Sequence, residues 1–486
     1  MAPQSRPEGF PFLDMDATAQ ASLVKNGEAR AIDLIDAAIE RIERLQPRLN
    51  ALASFDFDLA RKQALAAPVT GATSVFAGVP TLVKDLLAYP GHPTSSGSRL
   101  FQGQRPPAVS PYAQALEQSG LVVLGKSATS EFGLLGTTEP LLNGATHNPW
   151  RLDLSPGGSS GGAVAAVASG MVPVAHASDG GGSIRGPASF TGLFGFKPSR
   201  GRTVATDMPP DMPTASLISD HCVSRSVRDS AAWLKAVETP GHASPLPAVQ
   251  ALQEHRVPRL RIGVYRRDAF GELPTPQALE ALDACAKLCA DLGHEVVDAQ
   301  GPQFDAPAAS QAFFDLTGAT LAGLFDYVSS LMGPAFDTAL IEPYTLEIVR
   351  RARSLAPARM HEAIAALTTA GNAVHAALAP VDLLLSPTVP FTAFPLGQFG
   401  PTEDPATLMS HTNRLAGYTV PASLAGCPAM SVPLYWSADG LPLGCHFVGR
   451  LDHDARLLRL AFELEEAAPW APQLLRLQEK LLWPSV

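Results

Sequence analysis

Ile35, Ala38, Ile39, Ile42 and Leu45 recur at helical spacing, with Glu40, Arg41, Glu43 and Arg44 between them. That pattern predicts an amphipathic helix with its charged residues turned outward, ended by Pro47. The pattern then changes to short, continuous apolar runs at 79–83, 121–124 and 171–175, which read as buried strands separated by helical or Ala-rich stretches. Strands are also expected at 260–265, 383–385 and 430–434, and a helix at 275–292. Alternation of this kind predicts an α/β core around a mixed sheet.

Two stretches break the alternation. Residues 240–258 hold Pro240, Gly241, Pro245, Pro247 and Pro258, and read as a linker. Residues 306–380 are largely helical and carry Phe313, Phe314, Phe325, Tyr327, Phe336 and Tyr344. Aromatics at helical spacing are usually core residues; covering a site is the functional alternative.

Composition narrows the function classes. Hydrophobic residues make up 46% of the 486 positions and charged residues 17%, enough for a sizeable core. Against 46 acidic residues stand 36 basic ones, a net charge of −10 that repels nucleic acid, and no basic stripe is interleaved with aromatics. The run 163–177 is interrupted by Ser169, Gly170, Pro173 and His176, so no membrane span is expected. The opening MAPQSRPEGFPF has no charged start followed by an apolar stretch, so no secretory signal is expected there either. Cys222, Cys285, Cys289, Cys427 and Cys445 form an odd, scattered set that suits reduced thiols in a cytoplasm. Cys285 and Cys289, with His294 nearby, read as core-facing thiols because no fourth ligand stands at zinc spacing.

Two motif matches fail on context. Residues 120–127 fit GxxxxGK[ST], but Leu121, Val122, Val123 and Leu124 read as a strand rather than as a loop that could curl around phosphate. Gly157-Gly-Ser159-Ser-Gly161 fits GxSxG, yet Pro156 precludes the strand that a nucleophile elbow needs. With 12 histidines present, a Ser-His-Asp enzyme stays open as a weaker reading.

Two glycine-serine clusters carry the chemistry: Gly157-Gly-Ser-Ser-Gly-Gly162, and Ser178-Asp-Gly-Gly-Gly-Ser-Ile-Arg185 after a predicted strand. Glycines before a serine can form a nest of N–H donors suited to an oxyanion; a merely flexible loop is the alternative for either cluster alone. Taken together, and with Thr81-Leu-Val-Lys84-Asp85, Gly125-Lys-Ser…Glu131-Phe-Gly133 and GLFGFKPSRGR, the chain resembles the amidase signature family.

The resemblance implies one domain over residues 1–486, a central mixed, twisted β-sheet covered by helices on both faces. An N-terminal helical segment would occupy 1–65, a catalytic core 70–235 and a substrate-covering helical insertion 306–380. It places the nucleophile on Ser183, a bridging serine on Ser159 after a cis Gly158–Ser159 peptide, and the lysine on Lys84, with separations of 24 and 75 residues. Gly180, Gly181, Gly182 and Ser183 would supply oxyanion amides, with Phe132 and Gly133 beside the substrate. Ser160, Asp179 and Arg185 would brace the site, and Lys126 and Lys197 would be structural. No cofactor or metal is implied.

Thr137-Thr-Glu-Pro, Gly144-Ala-Thr-His-Asn-Pro-Trp150, His176 and Ala467-Ala-Pro-Trp470 are similar to the branch that includes 6-aminohexanoate cyclic-dimer hydrolase and urethanase-like enzymes. Gly186 and His446 depart from the family pattern, which commonly has a branched apolar residue and a glutamine there. The implied activity is hydrolysis of C–N acyl bonds in small amides, anilides or carbamates by a cytoplasmic monomer or homodimer. The alternative is the glutaminase subunit of a tRNA-dependent amidotransferase.

Overall fold

A computed structural model describes residues 11–66, 74–106, 109–206, 208, 212 and 214–483; most of the opening segment considered above lies outside them. The described strands are β1 (Leu52–Phe55), β2 (Pro80–Lys84), β3 (Val122–Ser127), β4 (Val174–Asp179), β5 (Phe194–Lys197), β6 (Ser219–Ser224), β7 (Arg261–Val264), β8 (Glu295–Asp298), β9 (Leu383–Pro387), β10 (Ala429–Trp436) and β11 (Pro442–Gly449). Eight of them build a sheet in the order β4-β6-β5-β10-β11-β9-β7-β8. It is mixed: β7 runs parallel to β8 and β9, and the other pairings are antiparallel. A smaller sheet, β1-β3-β2, docks on its β4 edge, where Thr81 Oγ1 donates to the Val174 carbonyl at 2.9 Å. That junction positions the site, because β2 ends on Lys84 and β4 on Asp179.

The first expected helix forms as Ala31–Leu49 and buries Ile35, Ala38, Ile39, Ile42 and Leu45. Two details differ from the sequence reading. Pro47 lies inside the helix rather than ending it; in the last turn proline forfeits one backbone bond, and the helix closes on Asn50 at φ 48°. Arg41 is buried, donating from Nε to the Gly170 carbonyl and from Nη1 to that of Pro11, at 2.7 and 3.0 Å.

Beyond it, the strand expected at 171–175 starts three residues later, after Pro173, and runs on to Asp179. The expected linker at 240–258 carries the helix Val249–Glu254 and buries Leu246, Leu252 and Val257 in the main core. The match to a phosphate loop is strand β3, with Gly125 and Lys126 inside it. Cys285 and Cys289 pack in the core.

Residues 306–380 contain three helices, Ala306–Met332, Pro343–Arg353 and Pro357–Leu378, each opened by a proline in its first turn. Among the described residues, no helix is long and apolar enough to cross a membrane.

Candidate active site

Lys84 is fully buried where the two sheets meet. Its Nζ lies 2.7 Å from Ser159 Oγ, 2.9 Å from Ser160 Oγ and 3.0 Å from Ser178 Oγ. Burial lowers its pKa to about 7 from 10.5, against the opposing charges of Asp220 and Asp179. Nζ can donate to all three hydroxyls when charged, and on losing its proton it keeps two donors and gains a lone pair that can accept from one of them.

Ser159 and Ser160 stand just before the fully buried helix Gly161–Ala168, and the Gly158–Ser159 peptide is cis. Against them lies the turn Glu131–Gly133. A Cβ on Gly133 would come 3.0 Å from Leu86 Cδ1 and 3.3 Å from Ser159 Oγ, and its φ is 72°, so only glycine lets this turn approach the serine. The amides of Phe132 and Gly133 donate to the carbonyls of Ser96 and Ser130 at 2.8 and 3.0 Å. Both amides are thus engaged within the protein, and the two residues line the cavity.

The loop after β4 carries Ser183, half-buried, and is locked from below. Asp179 and Arg185 form a two-bond pair, with Nε–Oδ2 2.9 Å and Nη2–Oδ1 2.8 Å, and both are fully buried. Burial pushes the Asp179 carboxyl up, but Arg185 and other donors outweigh it and hold its pKa at about 2. Arg185 also donates to the Thr419 carbonyl (2.8 Å), to Ser423 Oγ (3.1 Å) and to His446 Nε2 (3.0 Å). His446 must accept there, and burial beside Arg185 keeps its pKa far below that of a free imidazole. Gly182 has φ 136°, and a Cβ would strike Thr419 Oγ1 at 2.3 Å. Its N–H donates to Asp179 Oδ1 at 2.7 Å, which removes it from the expected oxyanion donors; Gly180, Gly181 and Ser183 keep candidate amides.

Residues 33–458 match the profile of the Amidase family. The chain belongs to that family. AmiC of Mycobacterium tuberculosis, named as a predicted amidase, is 37% identical over 94% of this chain and 95% of its own length. A solved 6-aminohexanoate cyclic dimer hydrolase in complex with substrate superimposes with a TM-score of 0.87 at 32% identity, covering 95% of this chain and 99% of the other. A bacterial aryl acylamidase of the amidase signature enzymes gives 0.85 at 26% identity, covering 95% and 98%. The mixed α/β architecture is thus the amidase signature fold.

In this amidase Ser159, Ser178 and Ser183 open onto one cavity of about 440 Å³. Phe313, Phe314 and Leu321 from the helix Ala306–Met332 line it, with Tyr344 and Ile348 from Pro343–Arg353. The other expected aromatics do not line it. Phe325 packs on Phe132 at 5.5 Å, Phe336 packs on Phe325, and Tyr327 is exposed. Among the described lining residues Asp220 is the only charged one.

Sequence reasoning missed Ser178 and Asp220 and used His176 only as a branch marker. His176 Nδ1 accepts the Lys84 backbone N–H at 3.3 Å, so Nε2 carries the proton that it donates to Asp220 Oδ1 at 3.1 Å. His176 and Ser178 alternate on β4, so the period-two rule could have put them on one face. Lys126 and Lys197 lie elsewhere. Lys126 Nζ donates to the Leu87 carbonyl and to Thr94 Oγ1, and Lys197 Nζ to the Pro198 carbonyl.

Proposed function

We propose that this amidase hydrolyses the C–N bond of small, uncharged amides, anilides or carbamates through an acyl-enzyme on Ser183. The observation that carries the reading is the buried Lys84 Nζ, 2.7 Å from Ser159 Oγ at the base of a cavity that Ser183 shares. Neutral Lys84 takes the Ser159 proton while Ser159 Oγ takes that of Ser183, whose Oγ bonds to the acyl carbon. Amides of Gly180, Gly181 and Ser183 stabilise the oxyanion. The relay then returns the proton to nitrogen, the C–N bond breaks and the amine departs. Water attacks the acyl-enzyme by the same route and regenerates Ser183. The helices that wall the cavity between 306 and 353 act as its cover.

A glutaminase subunit is disfavoured, because glutamine brings an ammonium and a carboxylate into a cavity whose single described charge is Asp220. The test is a fluorophosphonate label followed by peptide mapping. Label on the peptide carrying Ser183, lost in Ser183→Ala, is expected. Label confined to Ser159 would overturn the assignment in favour of the nucleophile-elbow reading.

A further inference from the structure

Several glycines lining the cavity are held there by their backbone conformation or by close neighbours. Gly133 and Gly182 have positive φ. A Cβ on Gly136 would lie 2.2 Å from Leu415 Cδ2, and one on Gly158 2.3 Å from the Thr137 carbonyl oxygen. Gly186 is different. It lies in the first turn of the helix Arg185–Thr191 without positive φ, and its N–H donates to the Gly182 carbonyl at 2.8 Å. A Cβ there would meet only Val389 Cγ1, at 3.7 Å, an ordinary contact. Glycine weakens a helix relative to alanine, so neither conformation nor packing accounts for its presence here. Gly180 also has room, but it belongs to the strip of candidate oxyanion amides.

What Gly186 leaves is space inside the substrate cavity, three residues beyond Ser183. Val389, Pro187 and Phe190 border the same cavity, and none is charged or offers a side-chain hydrogen bond. We propose that Gly186 is a specificity-determining residue, its missing side chain opening an apolar recess for a bulky hydrocarbon arm of the substrate. Alkyl or aryl groups suit such walls, because burying apolar surface is favourable and the recess offers no polar reward. The inference rests on the cavity being the substrate site proposed above.

The test separates binding from chemistry. Calorimetric affinities are measured in a Ser183→Ala background for two neutral series: anilides with acyl chains from formyl to octanoyl, and acetamides of amines from methyl to octyl. Gly186→Val is expected to weaken binding by a factor that grows along one series, from under about 2-fold at the short end to about 10-fold or more at the long end. Gly186→Ala should show a smaller change in the same direction and melt no lower than its parent. An equal loss at every length in both series, or no loss in either, overturns the proposal; so does an absence of binding by every compound. Length-dependent binding without turnover by the chain that retains Ser183 would sink the proposed reaction and leave the role of Gly186 standing.

Discussion

Burial holds Lys84 at a pKa of about 7, and the penalty falls on its charged form. The unfolded chain titrates near 10.5, so between about 7 and 10.5 it binds a proton that the folded state lacks. Stability from this group therefore rises with pH across that window, and the destabilisation is complete below about 7. The shift corresponds to roughly 4–5 kcal/mol at its low-pH limit, since one pKa unit is about 1.4 kcal/mol. Replacing Lys84 by Met removes that term but strands the hydroxyls of Ser159, Ser160 and Ser178, which offsets about 1–3 kcal/mol. The expected outcome is an inactive protein whose stability relative to wild type is greatest at pH 5–6 and declines toward pH 10, read by denaturant melts. For the wild type, kcat/KM on a neutral anilide should rise through about pH 7. Asp220 opposes the shift, so Asp220→Asn should lower the Lys84 pKa further and move the rise to more acid pH. A profile flat to pH 5 would remove Lys84 as the titrating base. In the proposed relay Lys84 and Ser159 act as one unit, so combining Lys84→Ala with Ser159→Ala should cost little more than either alone, measured as kcat.

At the level of elements, the loop that carries Ser183 depends on a pair that the sequence places only six residues apart. Asp179 closes β4, takes the amides of Gly182 and Ile184 at 2.7 and 3.2 Å, and pairs with Arg185 at the start of the next helix. Asp179→Asn leaves the Arg185 guanidinium buried without its counter-charge, a change that costs about 3–5 kcal/mol. We expect a large loss in denaturant midpoint together with a fall in kcat; an unchanged midpoint would show that the loop does not need the pair. This bracing was legible because its members share one motif. Lys84, Ser159 and Ser183 were singled out the same way, from residue types at family spacing, and the structure puts Lys84 Nζ 2.7 Å from Ser159 Oγ and Ser159 and Ser183 on one cavity. The ligation of Lys84 by Ser178 was not legible, because it depends on β2 docking against β4, and residues 94 apart meet only through that contact. Strand β6 was missed for a related reason. Ser-Asp-His-Cys-Val-Ser has no apolar run, yet it is buried because its polar groups find partners: Asp220 with His176, and His221 with Ser230. Strand β8 offers only two valines between acids, too short a signal to separate from a loop. The helices Ala31–Leu49 and Pro276–Asp291 were read from the sequence because each buries one apolar face.

On the scale of the whole molecule, charge is kept off the cavity wall rather than out of the interior. The chain carries a net −10, while the cavity wall holds one described charge, Asp220, itself engaged by His176. A ligand carboxylate entering there would lose its hydration and find no described lysine or arginine along the wall, with Asp220 adding repulsion. A neutral anilide loses little hydration and gains the apolar surfaces of Phe313, Phe314 and Ile348. A difference of only about 3 kcal/mol between the two transition states corresponds to more than about 100-fold in kcat/KM. We therefore expect neutral N-acyl anilides to exceed glutamine by at least that factor when initial rates are compared at one pH. The rate constant for the anilide should also be nearly flat from low to high salt, because an uncharged substrate is not steered by the protein's field. Glutamine turnover within about 10-fold of the anilide would mean that a charged group enters the cavity after all and would return the amidotransferase reading to first place.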